Sequence, residues 1–463
     1  MSGLAILLCS GTGLDSSDVS GAGAAAEVID DLCGRPDAAA ATLRELGASR
    51  LVLGLCEGRP NGDVLGSLRR AGAEPFGIAA VAVGKRERDE AARVVCAAAA
   101  RLAALAPGEA GRPYVATKGL SRRGLFAVPV ALPQAPVAVL DARSCTGVER
   151  CGLCIEACPA EAISADGSLP AVDVGACTAC GACVVGCPDG ALRLSGAANA
   201  QLEAQLETLV PGTDVLFACE KAHAEAPPGW AIVELPTLAL VTPGWILQTR
   251  AAGARVRLAP CDGPCCAGAA AIEAFVERVP AGELPRSEGA PAPSFVLDEP
   301  RATADAIVRL APAACFDDPA SPLGVLACDA KRCTLCGACA AACPPRALRL
   351  DEDPETTVLR HDPARCVACA RCVRACPEDA LVVSRGIDAS RLAAGPLALA
   401  SAGRETCARC GAELPPRPMR RRLRELLPEL AAAPLDLCAG CARRDPPPPL
   451  AYDAAGPDER SRA

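Results

Sequence analysis

The chain has 463 residues, which at roughly 150 residues per domain suggests about three domains. Net charge is −8, from 47 basic and 55 acidic residues, and aromatics make up only 2%, so neither a basic nucleic-acid coat nor a base-stacking platform is expected. No apolar run approaches the roughly 18 residues needed to span a bilayer, and the opening MSGLAILLCSG has no positive leader, so the expected location is the cytoplasm.

Residues 1–106 read as a small α/β domain. LAILL (4–8), RLVLGL (50–55) and FGIAAVAV (76–83) are short apolar strands. AAAATLREL (38–46), NGDVLGSLRRAG (61–72, with Asn61 as N-cap) and RERDEAARVVCAAAARLAAL (86–105) carry helical spacing. Strands alternating with helices imply parallel βαβ units. The Pro- and Gly-rich stretch 107–140 reads as a linker, and 141–196 as a compact cysteine block. Residues 197–311 again alternate strand and helix, through TDVLFA (213–218), AIVEL (231–235), PGWILQTRAAG (243–253) and ARVRLA (254–259). AGELPRSEGAPAPS (281–294) is a second loop or linker, and 325–386 a second cysteine block. Residues 400–445 hold two further C-x2-C pairs, and the tail 446–463 reads as disordered.

Cysteine dominates the composition, with 30 residues against two histidines, His223 and His361. Metal chemistry must therefore rest on thiolates, soft ligands suited to iron–sulfur clusters and zinc. In a chain this long, tight C-x2-C runs favour metal over disulfides. CPAEAI, CPDGAL, CPPRAL and CPEDAL begin at Cys158, Cys187, Cys343 and Cys376, each with Ala four and Ile or Leu five residues past the cysteine. Copies of one unit in identical phase imply two duplicated modules. Three units are complete C-x2-C-x2-C-x3-C-P runs: Cys177, Cys180, Cys183, Cys187; Cys333, Cys336, Cys339, Cys343; and Cys366, Cys369, Cys372, Cys376. Cysteines three apart on a short loop can wrap three corners of a cubane, and the fourth leads away to the neighbouring cluster. The proline after it removes a donor that would lack a partner. Such spacing is too tight for an ordinary zinc knuckle.

The two blocks resemble bacterial two-cluster [4Fe–4S] ferredoxins, over roughly a quarter of the chain. The resemblance implies one cluster on Cys158, Cys177, Cys180 and Cys183, one on Cys333, Cys336, Cys339 and Cys376, and one on Cys343, Cys366, Cys369 and Cys372. A fourth falls to Cys145, Cys151, Cys154 and Cys187, where five residues separate Cys145 from Cys151 instead of two. That departure leaves a three-iron cluster or a different ligand open. The fold class expected is a multidomain α/β plus α+β chain. Two small parallel α/β domains interleave with two ferredoxin-like modules and a C-terminal zinc-ribbon-like segment.

Cys9 and Cys56 follow parallel strands and should emerge at one sheet edge, where open α/β folds place ligands, with Cys33 in a turn between them. RLVLGLCEGRPNGDVLGSLRRAGAEPFGIAAV resembles the N-terminal domain of the flavin-carrying subunit of heterodisulfide reductase, AGAEPF (71–76) matching that family's "AG-NP" stretch. The resemblance implies a further [4Fe–4S] cluster near Cys9, Cys33 and Cys56; the alternative is three buried free cysteines. Cys96 lies on an apolar helix face and reads as core. That family's flavin domain has no counterpart here. GAGAAA (21–26) follows no credible strand and no Walker-type loop is present, so no flavin, nicotinamide or nucleotide is expected.

In the middle domain Cys219 follows one strand, and Cys261, Cys265 and Cys266 follow another. VLFACEKAH and RLAPCDGPCC resemble the delta subunit of methyl-viologen-reducing hydrogenase, with CDG (261–263) in place of that family's CSG turn. The family implies a [2Fe–2S] cluster and a docking role. His223 is a candidate to complete a set with Cys219, Cys261 and Cys265; otherwise it is an exposed loop residue. Cys265 and Cys266 could instead form a redox thiol pair. Cys407, Cys410, Cys438 and Cys441 read as a structural zinc site, with rubredoxin-like iron or another cluster as alternatives. The basic stretch RPMRRRLREL between them reads as a solvated helix face, or less readily a docking patch.

Together these readings give an electron-transfer protein, the wiring subunit of a soluble heterodisulfide-reductase/hydrogenase-like complex with redox partner proteins and no membrane insertion. A competing reading is an oxidoreductase acting on disulfide or sulfur substrates through Cys261, Cys265 and Cys266. A third is a redox sensor binding nucleic acid through Arg420–Arg424, which the acidic balance opposes.

Overall fold

The computed structural model describes residues 3–56, 62–84, 86–108, 112–113, 134–210, 213–266, 268–279, 294–297, 299–427 and 435–444. The Asn61 cap, most of the 107–140 linker, most of 281–294 and the 446–463 tail lie outside them. Residues group into two compact units, the first Met1–Val325 with Pro363–Cys369 and Ser384–Gly395, the second Leu326–Asp362 with Ala370–Val383 and Pro396–Ala463.

The first unit opens with β1 (Leu4–Cys9), β2 (Ala25–Ile29), α1 (Pro36–Leu46), β3 (Arg50–Leu55), α2 (Gly62–Arg70), β4 (Ile78–Ala82) and α3 (Arg88–Ala103). The strands form a parallel sheet in the order β2-β1-β3-β4. Every residue of β1 is buried. Ala5, Leu7 and Cys9 pack with Leu43 of α1 and Leu68 of α2, while Leu4, Ile6 and Leu8 pack with Val95 and Leu102 of α3. This is the pleat's period of two with helices covering both faces, and it explains why the strand reads as an unbroken apolar run. β2 escapes the sequence reading because it is an edge strand, AAEVI, with three exposed and two half-buried residues and no apolar alternation.

Short strands β5 (Arg112–Pro113) and β6 (Gln134–Ala135) pair antiparallel. The first cysteine block follows, with β7 (Ala138–Leu140), α4 (Leu153–Glu156), β8 (Ile163–Asp166), β9 (Leu169–Val172), α5 (Ala182–Val185) and β10 (Leu192–Leu194). β7 pairs with β10 and β8 with β9, both antiparallel.

A second parallel sheet follows, built from α6 (Asn199–Leu209), β11 (Asp214–Cys219), β12 (Trp230–Leu235), α7 (Pro243–Ala251), β13 (Val256–Ala259) and α8 (Ala269–Arg278). Its order is β12-β11-β13. The central strand β11 is buried throughout, and Phe217 tilts against Trp245 with ring centroids 6.2 Å apart. The buried Asp214 carboxylate, at the head of β11, accepts from the Arg255 backbone N–H (2.9 Å) and guanidinium (2.6 Å). α3 packs on α6, and Arg101 donates to Gln205 Oε1 (3.2 Å) and the Glu234 carbonyl (2.9 Å), so the two α/β layers share one core with the cysteine block. α9 (Pro300–Leu310) packs on α7, and β14 (Cys315–Asp317) pairs antiparallel with Gly386–Asp388.

The second unit contains α10 (Ala338–Ala341), α11 (Arg371–Arg374) and an antiparallel sheet, Leu348–Glu352, Thr356–His361 and Leu397–Gly403 in that order across the sheet. Leu326, Leu335, Leu348, Leu359 and Leu381 form its core. The helix Arg417–Leu426 is mostly exposed or half-buried, as a solvated basic face would be, except at Arg420. Arg420 is buried and pairs with Glu405 at 2.5 Å, and Arg422 pairs with Glu378 at 2.8 Å. Among the described residues no helix is long and apolar enough to cross a membrane.

Because Phe217 is fully buried in the central strand, Phe217→Ala should cost about 3–5 kcal/mol of stability, read as a lowered denaturation midpoint of the full chain.

Candidate metal centres

The C-x2-C-x2-C runs fold alike because the same backbone conformations recur around them. Ala179, Leu335 and Ala368, just before the second cysteine, have φ of 56°, 57° and 52°. Gly152, Gly181, Gly337 and Ala370, just after it, have φ of 68°, 80°, 75° and 59°. Left-handed residues on both sides of a cysteine turn successive N–H groups inward, the arrangement of an anion-binding nest. The third cysteine then enters a one-turn helix and is buried: Cys154 in α4, Cys183 in α5, Cys339 in α10 and Cys372 in α11.

The CPxxA repeat also has a structural cause. Three residues past the cysteine the chain turns left-handed, at Glu161, Gly190, Arg346 and Asp379, with φ between 47° and 61°. That turn aims the next N–H back at the sulfur. Ala162 donates to Cys158 Sγ, Ala191 to Cys187 Sγ and Ala380 to Cys376 Sγ, each at 3.3 Å. The alanines at this position, Ala162, Ala191, Ala347 and Ala380, are 2–3% exposed, so a larger side chain has no room.

Burial and neighbouring thiols together raise several of these cysteines. Burial raises the Cys154 thiol, followed by the charges of Cys187, Cys151 and Cys145. Cys183 is pushed up to about 12 by burial and then by Cys177, Cys180 and Cys158. Cys339 is pushed up to about 11 by burial and then by Cys333, Cys336 and Cys376. Crowded, buried thiols resist ionisation in each other's company; a bound cation reverses this and deprotonates its ligands. Of the last run, Cys366 and Cys369 belong to the first unit, and Cys372 and Cys376 to the second. Cys328, which the motif reading passes over, ends the strand Gly324–Cys328; burial and then the Cys333 thiol push it up to about 12.

Among the described residues three other sets of sulfurs lie within 4.8 Å of one another, and none draws on the ferredoxin-type runs. They are Cys219, Cys261, Cys265 and Cys266; Cys407, Cys410, Cys438 and Cys441; and Cys9, Cys33 and Cys56. In the first set Cys261 Sγ is 3.3 Å from Cys265 Sγ and 3.5 Å from Cys266 Sγ. The fourth member is Cys266, not His223. His223 is exposed and, at φ 48°, closes the turn Glu220–Ala222, as Gly13 at φ 72° closes the matching turn after Cys9. Cys266 comes back to the set because the turn Pro264–Cys266 follows β13. Cys219 is pushed up to about 12, chiefly by burial, whereas the Gly263 N–H and then the Cys265 thiol hold Cys261 down at about 7. In the C-terminal set, backbone N–H groups of Cys438 and then Cys410 hold Cys407 down at about 6. Four thiols this close fit one soft ion, since Zn–S bonds of about 2.3 Å place tetrahedral sulfurs roughly 3.8 Å apart.

A direct packing bridge joins the first cysteine block to the middle thiol set. A Cβ on Gly181, between Cys180 and Cys183, would lie 3.0 Å from Leu240 Cδ2 and 3.5 Å from Thr237 Cγ2. The Thr237 hydroxyl in turn donates to the Cys265 carbonyl at 2.9 Å and accepts from the Ala239 N–H at 3.1 Å. Thr237 is buried, as are Leu238 and Leu240. Cys154, Cys177, Cys183, Cys219 and Cys266 share one continuous hydrophobic core.

Comparison with known families matches residues 138–188 to a 4Fe-4S dicluster domain, and residues 332–380 to another family of the same description. The chain thus contains two 4Fe–4S dicluster domains, and its further cysteine groups suit additional iron–sulfur or metal centres. Comparison with characterised proteins finds no match to the chain.

Two substitutions of opposite sign test the wrapping loops. Gly181→Ala adds left-handed strain and crowds Leu240, and should lower the denaturant midpoint of cluster absorbance by the equivalent of about 1–2 kcal/mol. Ala370→Gly, at the one such position lacking glycine, should raise it by up to about 1 kcal/mol.

Proposed function

We propose that this chain is a multi-centre electron-transfer protein that moves single electrons between its two dicluster domains and a thiolate centre in the middle α/β domain. The observation that carries this reading is the close approach of Gly181, in a cluster-wrapping loop, to Leu240 and Thr237, the latter bonded to the Cys265 carbonyl of the four-thiol set. Clusters are one-electron carriers, and their potentials respond to N–H donors and burial of the kind seen at Cys158, Cys187 and Cys376. We assign four [4Fe–4S] clusters to the sixteen cysteines of the two blocks, a redox-active metal to Cys219, Cys261, Cys265 and Cys266, and structural zinc to Cys407, Cys410, Cys438 and Cys441. The outlet of the chain is a redox partner protein, in an assembly of the heterodisulfide-reductase or hydrogenase kind, and the location is the cytoplasm. The chain's own residues wrap, bury and hydrogen-bond the centres; substrate chemistry belongs to the partner.

A second reading has its own support. Cys261 Sγ lies 3.3 Å from Cys265 Sγ, and its thiol is held low enough to be half ionised near neutrality. Such a pair can close to a disulfide, releasing two protons to solvent and two electrons that one-electron carriers accept singly.

Protein prepared without oxygen should contain at least about sixteen irons with matching acid-labile sulfide and give cluster EPR signals on reduction. Colourless, EPR-silent protein after reconstitution with ferrous iron and sulfide would overturn the electron-transfer reading. In metal-free reduced protein, alkylation of Cys261 should reach half its limiting rate near pH 7, below the usual thiol value of 9.0, because thiolate forms as pH rises through the lowered pKa. A midpoint at or above pH 9 would remove the dithiol reading.

A further inference from the structure

Cys9 is the last residue of β1, Cys33 follows β2, and Cys56 directly follows β3. Because β1 lies between β2 and β3, the chain leaves it to one side and returns on the other. The carboxyl ends of β1 and β3 therefore flank the switch point where open α/β sheets bind ligands. The three sulfurs there lie within 4.8 Å of one another. The surrounding backbone is fitted to them. The Cys56 N–H donates to Cys33 Sγ at 3.3 Å. A Cβ on Gly11 would stand 2.7 Å from Cys56 Sγ, so the turn after β1 passes directly against that sulfur. The Gly84 N–H holds the Cys56 carbonyl at 2.8 Å. Cys9 is buried, Cys56 half-buried and Cys33 exposed, so the triad opens to solvent on the Cys33 side.

All thirty cysteines of the chain are described, and no fourth sulfur joins this set. Cys96, the remaining cysteine of this domain, packs beside Leu4, Ile6 and Val95, on the face of the sheet opposite Cys9. The other two convergent sets each have four thiols. The spacing also separates the triad from the cluster-wrapping runs. A cubane sets its thiolates on different irons and holds them farther apart than ligands of a single ion. The sulfurs of the runs are spread in that way, since no three of them come within 4.8 Å of one another.

We propose that Cys9, Cys33 and Cys56 bind a single soft divalent ion, Zn²⁺, with a fourth coordination position that takes a small-molecule thiol. This goes beyond the electron-transfer reading and does not depend on it. It replaces the cubane that resemblance implied for these three residues. Three protein ligands with an open position is the ligand count of zinc sites that act on substrates, whereas four thiolates close a structural site. A soft, thiolate-rich ion favours a sulfur donor in the open position. When a thiol enters, the metal-bound water leaves, the thiol proton passes to solvent, and no electrons move. The bound species is a thiolate held next to the exposed Cys33 edge, ready as a nucleophile at neutral pH.

The test uses the full chain with its clusters loaded. Cys33→Ser, at the exposed ligand, should lower bound zinc by about one ion per chain while iron and sulfide stay unchanged. On adding 2-aminoethaneselenol, zinc-edge X-ray absorption of the unaltered protein should show selenium in the zinc shell, and the C33S protein should show none. Loss of iron rather than zinc in C33S would restore a cluster at the triad and overturn the proposal. Unchanged metal content would overturn it too, as would a zinc shell without selenium in the unaltered protein. If C33S loses iron and zinc together through misfolding, the selenium measurement on the unaltered protein decides alone. The zinc and selenium results leave untouched the minimum of about sixteen irons that tests electron transfer, and a triad cluster would only add to it.

Discussion

Thiolates repel one another, and every centre in this protein answers that repulsion. Three or four sulfurs at one place ionise together only around a cation, and the backbone prepares for this before any metal arrives. In the cluster-wrapping runs, left-handed residues flank the second cysteine and another lies three past the fourth, so N–H groups point at sulfur from several directions. The same crowding shows from the other side in Cys154, Cys183 and Cys339, whose thiols burial and then neighbouring thiols raise.

The two α/β domains meet the constraint with one shared frame. In each, a fully buried central strand ends on a cysteine, runs into a short 3-10 turn and is closed by a left-handed residue, Gly13 in one and His223 in the other. In each, the second strand lies to one side and the third returns on the other, followed by C-E-G or C-D-G. The difference is the sulfur count. The middle domain adds the adjacent pair Cys265 and Cys266, which fills the set, whereas the first domain stops at three. One scaffold thus gives a set of four thiols in the middle domain and a set of three in the first, with Cys33 exposed.

Burial distinguishes these sets. Leu238 and Leu240 lie in one apolar core with buried cysteines of the first block, and Thr237 between them and Cys265 is buried too. The triad has Cys33 exposed, with Cys56 half-buried and Cys9 buried. The arginine-rich helix shows the same economy in the second unit, where Arg420 and Arg422 anchor it through Glu405 and Glu378.

The sequence alone determined what is local. Ligands three residues apart, the proline after the fourth, and the alanine four residues on are consequences of a loop closing on itself, so cluster runs could be read from spacing. The fully buried strands were legible for the same reason, as short apolar runs between helical patterns. The exposed edge strand Ala25–Ile29 was not, because its sheet place is fixed by hydrogen bonds to β1 and leaves no apolar signature. Tertiary structure alone decided which distant thiols meet. Nothing in the spacing separates Cys266 from His223 as partner to Cys219; the turn after β13 brings one in, and a left-handed cap turns the other out to solvent. Nor does spacing bring Cys9, Cys33 and Cys56 together without a fourth. That follows from strand order, because a parallel sheet gathers the carboxyl ends of its strands at one edge and leaves out every cysteine that is not there.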